Sequence, residues 1–154
     1  MNKIKDIILY KMPFLKKSKT HFSFLKKVSF LEEFSYKDFY IFQKFLHERT
    51  FQPAEVVFHQ GDLNTAFFFL FDGKLEMFLN NSSQGFLVEG DYFGEDGLSL
   101  SPLKRPLSVK STHFSKVLVL LKDDLIEMKL AYPLVASKFL HGLLTSFLLK
   151  LVHE

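Results

Sequence analysis

The stretch Phe67-Phe68-Phe69-Leu70-Phe71-Asp72-Gly73-Lys74-Leu75-Glu76-Met77-Phe78-Leu79 sets two runs of β-forming residues on either side of an Asp-Gly pair. Phenylalanine and aliphatic side chains suit the pleated, half-buried surface of a strand. Asp72-Gly73 reads as a tight hairpin, because a primed turn demands positive φ and Gly supplies it without steric cost. Beyond the pair, Lys74-Leu75-Glu76-Met77 alternates, which predicts a hairpin with one wet face.

The same texture extends in both directions. Phe51 and Val56-Val57-Phe58 precede the stretch; Phe86-Leu87-Val88 and Val117-Leu118-Val119-Leu120 follow it. Turn signals separate the runs at Gln60-Gly61-Asp62, Asn80-Asn81-Ser82-Ser83 and Glu89-Gly90-Asp91. Many short strands at near-regular spacing predict an antiparallel sandwich, roll or barrel over about residues 50–121.

Helical spacing appears on both flanks. Phe24, Leu25, Val28, Leu31 and Phe34, then Phe39, Phe42 and Leu46, predict two short helices with a break near Ser35. Ser35 with Asp38 three residues on is a capping arrangement that fixes the start of the second. The period returns over Lys122–Leu130 and again, after Tyr132-Pro133, to His153; Pro133 suits a first helical turn. In this last helix the apolar residues cover more than one stripe. The prediction is that it covers the roll and also meets a second surface, most simply its own copy across a two-fold axis. The predicted fold class is therefore α+β, mainly β: an antiparallel, jelly-roll-like β-roll flanked by N-terminal helices and two C-terminal helices. Residues 1–20 form a basic, partly apolar segment, and residues 21–154 form the domain.

Composition sets the outer limits. At 154 residues one domain with a real core is the expectation, and with 20 Phe and no Trp it is a phenylalanine core. No cysteine excludes disulfides, thiolate zinc sites and cysteine nucleophiles. The net charge of +3 is too small to argue by itself for nucleic acid. Eight lysines lie between Lys3 and Lys27 with Asp6 as the single acid there, so the excess charge belongs to the N-terminal end. That end starts like a signal peptide, but Lys11 interrupts its apolar run and no small-residue cleavage site follows, so it reads as retained. With Ile4, Ile7, Ile8, Phe14 and Leu15 beside the lysines, contact with acidic lipid or an acidic partner stands beside a solvated face. No window is expected to match the roughly 20 apolar residues of a membrane span. A soluble, cytoplasmic protein is the expectation.

Three segments carry a resemblance: Phe51-Gln52-Pro53-Ala54-Glu55-Val56-Val57-Phe58-His59-Gln60-Gly61-Asp62, Asp72-Gly73-Lys74-Leu75-Glu76, and Glu89-Gly90-Asp91-Tyr92-Phe93-Gly94-Glu95. Taken in this order between flanking helices, they resemble the early strand pair, the central hairpin and the entry to the phosphate-binding cassette of the cyclic nucleotide-binding domains of catabolite activator proteins and protein kinase A regulatory subunits. The resemblance implies a ligand site made of Phe93, Gly94, Glu95, Arg105 and Ser108. Gly94 would admit the cyclic phosphate to the backbone, Glu95 would accept the ribose 2′-hydroxyl, and Arg105 would face the phosphate with its planar donor fork. It also implies a base contact from the long C-terminal helix, in whose second half Thr145 and Ser146 are the hydroxyls present, with cAMP and cGMP both open.

Two residues depart from the pattern. Pro106 follows Arg105 where the family commonly offers an amide, and proline has none. Asp96 follows Glu95 where an apolar residue is usual, and its carboxylate would oppose a phosphate unless turned to solvent. Two readings therefore stand: a non-enzymatic sensor of a cyclic nucleotide that signals through its C-terminal helix to a homodimer mate or partner protein, and a degenerate fold that serves as an interaction scaffold. No helix-turn-helix follows the long helix, so direct DNA binding is not expected. His59 and His113 lack the spacing of a cupin metal site and no Gly-x-Ser-x-Gly elbow is present, so neither a metal nor a catalytic residue is expected.

Overall fold

Gly73 turns the chain from one sheet into another. The computed structural model describes residues 21–99 and 103–153. It contains β1 (Leu46–Phe51), β2 (Val56–Phe58), β3 (Ala66–Asp72), β4 (Lys74–Leu79), β5 (Ser82–Val88), β6 (Tyr92–Phe93), β7 (Ser108–Ser111) and β8 (Ser115–Leu121). One sheet has the order β1-β8-β3-β6 and the other β2-β7-β4-β5, with every pairing antiparallel. The β-roll predicted from the sequence is thus present.

The Asp72-Gly73 hairpin is not, because β3 and β4 never pair. Gly73 sits at φ +101°, and a Cβ there would lie 2.6 Å from the Phe114 carbonyl and against Ser115. The corner needs glycine for both reasons. The early segment does not pair on itself either, since β1 and β2 belong to different sheets. The true hairpin is β4–β5, turned by Asn80 and Asn81 at φ +50° and +66°.

The five-residue apolar run of β3 is explained by burial on both faces. Phe67 and Phe69 point to the helices, where they meet Phe30, Phe42 and Phe139; Phe68 and Leu70 point between the sheets, against Phe51, Val117 and Val119. Leu46, predicted as the end of a helix, begins β1 and pairs with Leu120 of β8.

Residues 21–25 are helical, single 3₁₀ turns cover Ser29–Leu31 and Gln43–Phe45, and α1 spans Tyr36–Phe42. The capping box is complete: the Asp38 amide donates to Ser35 Oγ (3.2 Å) and the Ser35 amide to Asp38 Oδ2 (2.8 Å). Helix α2 (Lys122–Ala131) leads to α3 (Pro133–His153), which lays Val135, Ala136, Phe139 and Leu143 on the helical side of the core. Its outer residues Leu144, Phe147, Leu148 and Leu151 are about half exposed. Contrary to the expectation from the sequence, α3 is long and apolar enough to cross a membrane by length and composition; its inner face is nevertheless committed to the roll. The basic segment 1–20 lies outside the described residues.

Candidate functional site

The chain reaches the site through Gly94, which ends β6 in the left-handed region at φ +79°. A Cβ here would sit 2.6 Å from Arg105 Nη1 and 3.0 Å from the Ala66 carbonyl, so only glycine lets this turn press against β3. A single 3₁₀ turn, Glu95–Leu98, follows; it is closed by the Gly97 amide donating to the Gly94 carbonyl. Gly97 is equally constrained, since a Cβ would strike the Ala66 backbone and Asn64. Two glycines thus bring the cassette turn onto the first residue of β3, directly beside Arg105.

Arg105 is 4% exposed. Its Nη2 donates to the Ala66 carbonyl (2.8 Å), and its guanidinium plane lies over the Phe58 ring, 4.1 Å from the centroid. Nε and Nη1 have no hydrogen-bond partner among the described residues. Burial pushes its pKa down to about 10, an effect partly offset by the fields of Asp96, Asp62 and Glu95. The group remains a cation at neutral pH.

Around it lies a cavity of about 340 Å³ walled by apolar Phe58, Met77, Leu87, Phe93 and Val109. Its polar edge is Tyr92, Gly94, Glu95, Asp96, Arg105 and Lys150, with Pro106 next to the arginine. Phe93 holds the wall by stacking on Phe68 at a centroid distance of 4.9 Å. The arrangement suits a small anion with an apolar body: a buried guanidinium offers two free donors, and the rest of the wall offers burial. Among the described residues no group of three or more His, Asp or Glu is placed to hold a metal ion.

Of the residues predicted from the sequence, Phe93, Gly94, Glu95 and Arg105 come together on this cavity. Ser108 does not line it; its hydroxyl accepts the Gln60 amide (2.8 Å) and so holds the loop after β2. Thr145 lines a separate groove with Ser29, Phe30 and Glu33, and the Ser146 hydroxyl is bonded to Tyr92 Oη (2.7 Å). The residue that α3 does send to the cavity is Lys150, whose ammonium rests 4.4 Å from the Tyr92 ring centroid. Sequence reasoning missed it. The available signal was its spacing, because Ser146 and Lys150 are four residues apart and share one helix face.

The family model described as the cyclic nucleotide-binding domain matches residues 48–132, a span that holds the cassette turn and Arg105. The human cyclic nucleotide-gated channel alpha-3 is 30% identical over 95 residues; the match takes 57% of this chain and only 14% of the channel. A cyclic nucleotide-binding domain from Methylobacillus flagellatus superposes with a TM-score of 0.76 at 16% identity, covering 90% of this chain and 80% of that one. The cAMP-bound structure of PfPKA-R gives 0.65 at 24% identity, with 74% and 40% covered.

Proposed function

The chain belongs to the cyclic nucleotide-binding domain family, and on that footing we propose that it is a regulatory sensor that takes cAMP or cGMP into the cavity beside Arg105. The observation that carries this reading is the buried guanidinium with Nε and Nη1 unpartnered. An ion removed from water without a counter-charge is costly, and a cyclic phosphate would supply both the charge and the acceptors. Gly94 holds the cassette backbone against Arg105 where the phosphate would lie, Glu95 accepts from the ribose 2′-hydroxyl, Phe93 covers the sugar, and Ser108 supports the wall through the Gln60 loop. The cAMP held by the similar PfPKA-R fold agrees with this choice of ligand.

Transmission uses the bond between Tyr92 and Ser146, which ties the strand leading into the cassette to α3. Ligand that favours one position of β6 then favours one position of α3. The apolar outer face of that helix meets a second copy or a partner protein, in a cytoplasmic setting.

Two residues on the cavity favour a second reading, an interaction scaffold without nucleotide. Pro106 offers no amide, and Asp96 already shares the charge of Arg105. Isothermal titration with cAMP and cGMP decides between them. The sensor requires binding at roughly micromolar strength or better that disappears in Arg105→Ala. No heat with either nucleotide overturns it in favour of the scaffold.

A further inference from the structure

We infer that Lys150 makes this site selective for guanine over adenine, a reading that rests on nucleotide binding as proposed above. The hydroxyls of the C-terminal helix lie elsewhere or are engaged: Ser146 is bonded to Tyr92, Thr145 faces the groove beside Phe30 and Glu33, and Ser137 lines a groove with Lys129 and Leu144. Lys150 is the one α3 residue among those lining the cavity. Its ammonium lies over the Tyr92 ring and forms no ion pair among the described residues, although Glu95 and Asp96 line the same cavity. Its three donors are free for a ligand.

Arg105 and Gly94 come from the cassette side and take the phosphate; the base must then find its polar contact on the α3 side. Elsewhere the wall is Phe58, Met77, Leu87 and Val109, which offer no hydrogen bond, and Tyr92, whose hydroxyl is already bonded to Ser146. A lysine ammonium only donates. Guanine presents two acceptors on one edge, O6 and N7, whereas adenine replaces O6 with an amino donor that an ammonium repels. One well-placed contact of this kind separates the two bases by about tenfold or more.

Titration of the full 154-residue chain with cGMP, cAMP and cyclic inosine monophosphate tests the assignment, because the inosine base keeps O6 and N7 and lacks the 2-amino group. The expected order is cGMP and the inosine nucleotide together, about tenfold tighter than cAMP. Lys150→Met brings the ratio of cGMP to cAMP affinity close to one, and Lys150→Glu reverses it, since a carboxylate accepts from the adenine amino group. The position is exposed, so both variants are expected to fold, and their circular dichroism melts check this. Equal affinities in the wild type, or an unchanged ratio in Lys150→Met, overturn the role of Lys150 and leave nucleotide sensing intact. A tenfold preference for cGMP that the inosine nucleotide does not share moves recognition to the 2-amino group and also overturns it. Failure of the wild type to bind any of the three overturns sensing itself and the selectivity with it.

Discussion

Asp38 at the start of α1 and Arg105 on the wall of the cavity are both buried charges, and the chain surrounds them differently. Asp38 Oδ2 accepts from the Ser35 amide (2.8 Å) and from Lys138 Nζ (2.6 Å), so one carboxylate completes the capping box of α1 and fastens that helix to α3. Burial alone would raise its pKa; the bonds from Lys138 and Ser35 outweigh that and hold it below the usual carboxylate value. Arg105 has one bond, to the Ala66 carbonyl, and two donors with nothing to bind. Among the described residues no carboxylate forms an ion pair with it, and burial depresses its pKa. A charge that serves the fold is closed by the chain's own groups. The charge proposed to serve a ligand is left open, and the fold bears the cost.

The sharpest way to break this contrast is Arg105→Met, an apolar replacement of similar length. Loss of two charge-assisted hydrogen bonds should weaken nucleotide binding by at least about 100-fold, or about 2.7 kcal/mol. The unliganded protein should melt at the same temperature or slightly higher, because the unsatisfied donors go with the charge. Calorimetry with and without nucleotide reads both quantities. A large fall in the melting temperature with binding retained would place Arg105 among the fold's own supports and remove the contrast.

Asp38→Ala tests the other side. It removes the carboxylate half of the capping box, leaving the Ser35 hydroxyl in place, and strands Lys138, whose side chain is 38% exposed and can re-enter water, so the expected loss is about 2 kcal/mol, below the cost of breaking a fully buried pair. Nucleotide affinity should stay within about twofold of the wild type, since the carboxylate is remote from the cavity lining. The pH dependence has a definite sign. A carboxylate whose folded pKa lies below the ordinary 3.8 contributes its stability fully above that value and loses it as pH falls through the folded pKa. The difference in stability between wild type and Asp38→Asn should therefore be flat from about pH 7 to pH 5 and shrink below pH 4. A difference that grows on acidification contradicts the assignment.

The sequence made the roll legible through its repeated apolar runs, and the capping box through two residues three apart. Both are local signals. Asp72-Gly73 was misread because a hairpin and a corner between sheets make the same local demand for positive φ; what separates them is that β4 pairs with β5 and β7, which no window of sequence contains. Strand β1, Leu-His-Glu-Arg-Thr-Phe, carries polar residues along most of its length and is a strand because β8 pairs with it residue by residue. At the site, Gly94, Glu95 and Arg105 stood out through their resemblance to a known cassette. Lys150 did not, because the residue that α3 sends to the cavity depends on how the helix is rotated about its axis. That rotation is set by Phe139 and Leu143 in the core and by the close pass of Gly142 over the Phe30 backbone.

Pro106→Ala gives the smallest expected effect and the finest test of how far fold and ligand needs are separated. Pro106 lines the cavity next to Arg105 and has no amide, so alanine adds one donor at the edge where the proposed phosphate would lie. A neutral hydrogen bond contributes about 1 kcal/mol, so nucleotide affinity should rise by about fivefold. The same change loosens the unfolded chain and should lower stability by about 0.5 kcal/mol. Opposite signs in the two measurements mean that this position, like Arg105, trades ligand binding against the stability of the empty fold. If alanine weakens both, proline is the residue that shapes the cavity, and the departure from the family pattern at this position is an adaptation of the pocket rather than a loss from it.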